Sequence, residues 1–475
     1  MAAMPIGEDT LYDRWFMSGR NRWLVYGTLF FLAILVRLAC YTGIVGSDDL
    51  AYSYYGQLLA EGTYRPDARH LALRTGLTVP LGIIYWIFGV SEWTTILVPL
   101  LLSASSVPLL VAVGHRLLPV RAALVAGFLL LTFPVHVRYA TVLAPEPIME
   151  FLVLLGVLGY LNDPKGERPT QGFLAGICFG AAYLVKEAGV FVGAALILHS
   201  LWLRRWKQAG AIAAGLALVG ASEMIYYFVQ TSDLLYRPHV IAHSQDRYIA
   251  THGGPGPIAY RIFKEYPREM MVPGPNFGIH SLAALIFGAV GLFLMPAPAR
   301  AMMFLWAAVP MIYMNFGSSS LTHYVPVASA PRYIGLVYPP LFLFAGSVFH
   351  RWSSRGPWFR SMCWSIVFLV AAMGFACAFS TRGKGYRTDQ IAALRAIGRI
   401  AEGNHLQIVR FEGDNAKIWR YSMDILSGKR LKIGDCTDRC LVIRPDAIGL
   451  PVTVQVPAAR PEQSAGSWPS YPLHP

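Results

Sequence analysis

Apolar residues in this chain neither alternate at a period of two nor mark a single helical face. Over most of its length they run on, and charged residues fall between the runs. A bilayer-spanning helix needs roughly 20 mainly apolar residues, with about 17 to 25 tolerated. Eleven runs approach that length, at approximately 23–44, 94–114, 120–137, 147–162, 171–186, 188–203, 209–229, 278–296, 300–316, 333–349 and 361–380. They predict an all-α polytopic membrane protein with about eleven transmembrane helices. Leu77 to Val90, about fourteen residues between Arg74 and Glu92, is too short to span and fits a helix lying at the membrane surface.

Counting that segment as a span would invert every later loop, and charge decides the matter, because Lys and Arg in short loops mark the cytoplasmic side. With eleven spans the inner segments carry Arg14, Arg20 and Arg22; Arg116 and Arg121; Lys165 and Arg168; Arg204, Arg205 and Lys207; Arg300; and Arg351, Arg355 and Arg360. The short outer connections near Lys186 and Arg332 are poorer in positive charge. The amino terminus is therefore expected inside and the carboxyl end outside. Glu8, Asp9 and Asp13 ahead of Arg14 do not make a cleavable-signal layout, so the first run is expected to stay as an anchor.

Three parts are left outside the membrane, all on the outer side: loops of roughly 45–93 and 230–277, and a tail from about 381. Loops this long usually carry function. The tail reads helix-like (DQIAALRAIGRIA), strand-like (HLQIVRFEG), helix-like (NAKIWRYSMDILSG) and strand-like (RLKIGD, CLVIRP), which predicts a small extracytoplasmic α/β domain over 381–457 after a membrane domain of 1–380. Residues 458–475 read as a disordered tail.

Composition agrees with this plan. Charged residues make up 14% of the 475, against roughly 25% in ordinary globular proteins, which excludes a typical soluble enzyme. Mean hydropathy is +0.45. The net charge of +13 could serve nucleic acid, an anionic membrane surface or an anionic ligand. Its placement in inner loops makes much of it topological, and no nucleic-acid partner is expected. Of six cysteines, Cys40, Cys178, Cys363 and Cys377 lie in apolar runs. Cys436 and Cys440, with three residues between them in a polar stretch, form either a disulfide outside the cytoplasm or two unpaired thiols.

Candidate chemistry lies among the outer charges. In GSDDLAYSYYGQLLAEG, Asp48 and Asp49 open an amphipathic helix that ends near Gly62; helix capping and the macrodipole account for one of them. In TVLAPEPIMEFL, Glu146 and Glu150 share one helical face. Capping explains Glu146 at the outer mouth but not Glu150 one turn deeper, since ionisable groups at membrane depth usually face the bundle interior or a water-filled cavity. Cations gather on the same side: Arg37, Arg65, Arg69, His70, Arg74, Arg138, Lys186 beside Glu187, and Arg332. Snorkelling explains Arg37 and Arg65 taken singly. Taken with the acids, the set describes a polar outer cavity in which Arg and Lys would hold a phosphate. The chain has no GxxxxGK[ST], GxGxxG, HExxH or Cys/His zinc spacing, which removes most support for ATP-driven transport or a zinc hydrolase.

These patches resemble motifs of the polytopic GT-C glycosyltransferases, most closely the branch of protein O-mannosyltransferases and lipid A aminoarabinose transferases. The acidic pair Asp48 and Asp49 with its Tyr-rich helix is similar to their first outer motif, RYATVLAPEPIMEFL to their second acidic motif, AYLVKEAGVF to their Lys turn, and APRYIGLVYPPL to their Arg-Tyr-Pro segment. Two positions depart: Glu146 stands where many relatives have Asp, and Glu187 where Gly or Pro is common. The resemblance implies an inverting glycosyltransferase that moves a sugar from a polyprenyl-phosphate donor to a glycan, lipid or protein acceptor at the extracytoplasmic face. The setting expected is a bacterial inner membrane with the site facing the periplasm. Asp48 would be the base, Asp49 would orient it or the acceptor, and Glu146 would shape the pocket. Lys186, Arg74, Arg332 and Arg138 would hold the donor phosphate, with Tyr55, Glu150, His323, Tyr324 and Tyr333 lining the pocket. No cofactor is obligatory, although a divalent Mg or Mn would suit Asp48, Asp49 and Glu146 as oxygen ligands. Two other classes share parts of the plan: a polyprenyl-linked sugar flippase, and an O-antigen ligase or polymerase, for which the middle loop offers His239, His243, Arg247 and His252.

Overall fold

The structure is a computed structural model. It describes residues 19–252, 256–272, 274, 276–327 and 331–385, and beyond these 391–392, 394–395, 398–399, 408–411, 422–426, 440–444 and 453–455. The apolar runs fold as α1 (Gly19–Ala39), α4 (Glu92–His115), α5 (Val120–Leu131), α7 (Pro145–Leu161), α8 (Pro169–Val185), α9 (Val190–Trp202), α10 (Trp206–Thr231), α12 (His280–Leu294), α13 (Ala297–Phe316), α14 (Tyr338–Ser353) and α15 (Pro357–Ser380). Outside them lie α2 (Asp48–Ala60), α3 (Thr75–Phe88), α6 (Pro134–Tyr139) and α11 (Tyr236–His252). Among the described residues six helical segments are long and apolar enough to cross a bilayer: α1, α4, α10, α13, α15 and Arg332–Ser353, which leads into α14. The protein is an integral, multi-pass membrane protein.

Proline sets several boundaries. The run 120–137, expected as one span, breaks after Leu131, and α6 restarts at Pro134, whose missing N–H and ring deny it a place in a helix interior. Pro145, Pro169 and Pro357 each open a helix, where an N–H would have no intrahelical partner anyway.

The described chain forms two compact units. The first comprises the chain up to Tyr41, Arg65–Leu77 and Pro99–Arg382. Here small residues let helices meet backbone to backbone, as is common in membranes. A Cβ at Gly176 on α8 would overlap the Ile212 carbonyl of α10, one at Gly215 the Phe173 carbonyl, and one at Gly291 on α12 the Phe344 carbonyl of α14.

The second unit comprises Thr42–Tyr64, Thr78–Val98 and the described residues from Gly383 onward. In it α2 packs on α3 through Gly56 against Leu81 and Gly82 against Leu59. Tyr85 and Thr95 join by a 2.6 Å hydroxyl hydrogen bond. Three short strands form a sheet: β1 (Ile408–Phe411) runs parallel to β2 (Cys440–Arg444), which pairs antiparallel with β3 (Thr453–Gln455). Cys436, and with it the expected disulfide to Cys440, lies outside the described residues, as does the stretch RLKIGD.

Candidate functional site

In the first unit, four elements bring charge to one place. Helix α8 stops at Val185, and Lys186 follows in an extended conformation (φ −163°, ψ 140°) that turns its side chain out of the helical register. Its ammonium donates to Glu146 Oε1, on the first turn of α7, at 2.8 Å. The same Nζ lies 3.2 Å from the ring centroid of Tyr333. Arg332, from the 3-10 turn Pro331–Val337, approaches the same Glu146 oxygen at 3.4 Å through Nε. Its guanidinium carbon stands 5.9 Å from the Tyr139 ring centroid at the end of α6. Arg74, buried just ahead of α3, adds its field at Lys186. Two cations thus contact one carboxylate, with Arg74 acting on Lys186, and that carboxylate's second oxygen, Oε2, is buried without a hydrogen-bond partner. Surplus positive charge among buried and aromatic side chains suits an anionic group, which would gain charge-assisted hydrogen bonds of about 1.5–3 kcal/mol each. Tyr139 is a member the sequence reading missed; its place directly after Arg138 and ahead of the second acidic motif is the only sign of it.

A second buried network adjoins through Glu187. Arg237 on α11 donates to Glu187 Oε1 at 2.7 Å and to Glu223 Oε1 on α10 at 2.6 Å. Sequence reasoning missed it, because a lone Arg in a polar loop looks like a surface residue. Burial raises the Glu187 carboxyl, but the cations Arg237 and Arg74 outweigh it and hold the group at about 2.

Glu150, one turn below Glu146, joins neither network. Its Oε1 lies 3.5 Å from His136 Nε2. His136 Nδ1 accepts from Arg37 Nη2 at 2.9 Å, so a neutral ring carries its proton on Nε2, facing Glu150. Arg37 does not snorkel, contrary to expectation. It is fully buried and also donates to Ser103 Oγ at 2.8 Å and to the carbonyls of Ala33 and Ser103.

In the second unit the adjacent acids differ. Asp49 is buried, and its carboxylate accepts from the backbone N–H groups of Val45 (2.7 Å), Gly46 (3.3 Å) and Ser47 (2.6 Å), tying down the turn that leads into α2. Burial pushes its carboxyl above the ordinary value and these hydrogen bonds offset part of the rise. Asp48, the first residue of α2, is half-buried. Tyr55 is buried between Tyr54 and Tyr64, with ring centroids at 5.1 and 6.3 Å.

Of the expected residues in the first unit, Glu146, Lys186, Arg332, Arg74 and Tyr333 come together. Arg138 lies beside Tyr139, 5.9 Å from its ring centroid. His323 and Tyr324 have other partners: His323 faces Asp246 at 3.3 Å, and the Tyr324 hydroxyl accepts from Arg261 at 3.2 Å, both on exposed side chains. Of the middle-loop histidines, His239 and His243 are exposed as well, His239 meeting Asp233 at 2.8 Å and His243 accepting from Arg247 at 3.1 Å. Among the described residues no group of three or more His, Cys, Asp or Glu is close enough to hold a metal ion. The donor set expected for one is otherwise engaged, Asp49 by three backbone N–H groups and Glu146 by two cations.

Residues 80–227 match the family described as dolichyl-phosphate-mannose-protein mannosyltransferase. No curated protein matches the sequence. Among solved structures the chain is similar to ArnT from Cupriavidus metallidurans bound to undecaprenyl phosphate, with a TM-score of 0.56 at 14% identity over 90% of this chain and 93% of that one. It is also similar to the Archaeoglobus fulgidus oligosaccharyltransferase in complex with Zn and sulfate, with a TM-score of 0.56 at 11% identity over 85% of this chain. The same enzyme tethered to an acceptor peptide containing the NVT sequon gives a TM-score of 0.52 at 12% identity over 88% of this chain. The chain spans 62% and 64% of the length of those two archaeal chains. These likenesses establish the fold as GT-C.

Proposed function

We propose that this protein is an inverting glycosyltransferase that moves a sugar from a polyprenyl-phosphate donor to an acceptor on the extracytoplasmic side of the membrane. The observation that carries the reading is the buried contact of Lys186 and Arg332 with the carboxylate of Glu146, with Arg74 acting on Lys186, on a fold shared with ArnT solved with undecaprenyl phosphate. The leaving phosphate is already an anion. Cations that stabilise the charge developing on it make a general acid unnecessary. The acceptor hydroxyl must still lose a proton, and a carboxylate on the opposite face of the sugar takes it, the geometry of an inverting displacement. Asp48 has that role in this scheme, and Asp49, tied into the turn before α2, orients it. Glu146 and Tyr333 shape the pocket, Arg138 borders it, and Tyr55 supports α2.

The same reading places eleven spans over residues 1–380, with the amino terminus in the cytoplasm, in a bacterial inner membrane with the site toward the periplasm. It gives residues 381–457 to a small extracytoplasmic α/β domain, closed by a Cys436–Cys440 disulfide. The acceptor is a glycan, a lipid or a protein. No step is routed through a divalent ion, because Asp49 and Glu146 already have protein partners.

Purified protein incubated with polyprenyl-phosphate sugars, followed by mass spectrometry, tests the proposal: consumption of one donor and a new glycosidic bond on an acceptor is the expected result. Movement of labelled lipid across liposomes with no new bond would instead make the protein a flippase.

A further inference from the structure

Arg237 is a heavily engaged side chain outside the phosphate cluster. It is 2% exposed, on α11, and all five of its N–H donors are used. Nε and Nη2 donate to Glu187 Oε1 at 3.3 and 2.7 Å, and Nη2 also to the Tyr183 carbonyl at 2.9 Å. Nη1 donates to Glu223 Oε1 at 2.6 Å and to the Leu73 carbonyl at 3.4 Å. The guanidinium carbon stands 4.4 Å from the Tyr183 ring centroid. One planar fork therefore joins α8, the turn after it, α10 and the segment before α3.

Two of those partners are chain neighbours of the phosphate cluster. Glu187 follows Lys186 directly, and Leu73 precedes Arg74. Lys186 sits in an extended conformation between two helical segments; its N–H donates to the Ala182 carbonyl at 2.9 Å and its carbonyl accepts from Gly189 at 3.0 Å, so the residues on either side of it set where its side chain leaves the helical register. The Leu73 carbonyl also accepts from the Tyr227 hydroxyl at 3.3 Å, and Leu73 packs with Tyr227, Val240 and Tyr236. That apolar patch backs the clamp from α10 and α11.

We infer that Arg237 is a positioning residue for the donor phosphate: by gripping Glu187 and the Leu73 carbonyl it fixes where Lys186 and Arg74 present their charges. Its fork geometry is what the task needs. A lysine has three donors on one atom and cannot reach two carboxylates and two carbonyls spread around a plane. By neutralising Glu187 it also stops that carboxylate from drawing Lys186 away. Displacements of about 1 Å at such a site cost up to about a hundredfold in rate.

The inference rests on the phosphate-binding reading above, and the experiment separates the two. Full-length protein in nanodiscs is titrated with undecaprenyl phosphate in four forms: wild type, Arg237→Lys, Lys186→Met and the double variant. Arg237→Lys should weaken binding about tenfold on the wild-type background and clearly less on Lys186→Met, because one of its two routes, through Glu187, ends at Lys186 while the other, through the Leu73 carbonyl, ends at Arg74. Glu187→Gln, which leaves the Glu223 arm intact, is a second probe with the same expected direction if Arg237→Lys does not fold. Wild type that fails to bind undecaprenyl phosphate would overturn the phosphate reading. Wild type that binds, with Arg237→Lys and Glu187→Gln both within twofold of it, would overturn the positioning role alone. Equal weakening by Arg237→Lys with and without Lys186 would also overturn it, since that pattern belongs to a purely structural clamp.

Discussion

Replacing Lys186 with Met keeps an unbranched stem against Tyr333 and removes only the charge. Two separate quantities then change. The phosphate loses a charge-assisted hydrogen bond of about 1.5–3 kcal/mol. At 1.4 kcal/mol per decade, the dissociation constant for undecaprenyl phosphate rises by roughly 10- to 150-fold. The ligand-free protein also suffers, because Glu146 is buried and its 2.8 Å partner is gone, with Arg332 at 3.4 Å left to compensate. Removing one member of a buried ion pair costs about 3–5 kcal/mol, and the remaining guanidinium puts the expected loss at the lower end. Binding to protein in nanodiscs and thermal unfolding separate these effects, and the double variant Lys186→Met/Glu146→Gln sharpens the separation. Once the stranded carboxylate is neutral, stability should return while binding stays weak. Wild-type affinity in Lys186→Met, or recovery of affinity in the double variant, would refute the assignment of Lys186 to the phosphate.

Asp48→Asn should bind donor normally and lose sugar transfer by about 10²–10⁴-fold, the usual range for a general base; a turnover assay with the identified donor checks it. Asp49→Ala strands the N–H groups of Val45, Gly46 and Ser47, so a loss of about 2–4 kcal/mol is expected, read as a lower Tm and as faster amide exchange at those three residues. Gly176→Val drives a side chain into the Ile212 carbonyl and should cost about 1–3 kcal/mol in thermal unfolding without altering affinity for undecaprenyl phosphate. Glu187 is held at about 2, below its ordinary 4.5, so its contribution of up to about 3 kcal/mol is complete above about pH 4.5 and fades as pH falls toward 2. The Tm gap between wild type and Glu187→Gln should therefore stay constant from pH 8 to about 5.5 and narrow below about 4.5.

The helices were readable because uninterrupted apolar length is a local property, and each run carries its own signal. The break before α6 was also written locally, in Pro134, but the apolar residues on either side of it masked the interruption. The cation cluster was readable in membership and not in pairing: nothing local says that Glu146 meets Lys186 across forty positions, a distance set by how α7 and α8 pack. Asp48 and Asp49 look alike in sequence. They differ in the structure because the turn at Val45–Ser47 aims three N–H groups at one carboxylate only. Arg37 was misread for the opposite reason. A cation near a helix end ordinarily reaches for the interface, but Ser103 and His136, invisible as partners inside their apolar runs, offer it acceptors within the bundle.

The two buried networks have opposite charge balance, and the turn between α8 and α9 divides them. On one side Lys186 and Arg332 contact Glu146, with Arg74 acting on Lys186; on the other Arg237 bonds both Glu187 and Glu223. Adjacent residues of opposite sign would ordinarily cancel, and an unpaired Glu187 one residue from Lys186 would compete with any phosphate for that ammonium. Here the acid is kept and turned to Arg237, which converts a competitor for the phosphate into the handle that fixes the lysine. It follows that Glu187 and Arg237 should be exchangeable only together: Glu187→Gly alone should lower affinity for undecaprenyl phosphate. Wild-type affinity in that variant would show that the lysine turn holds its geometry without the handle.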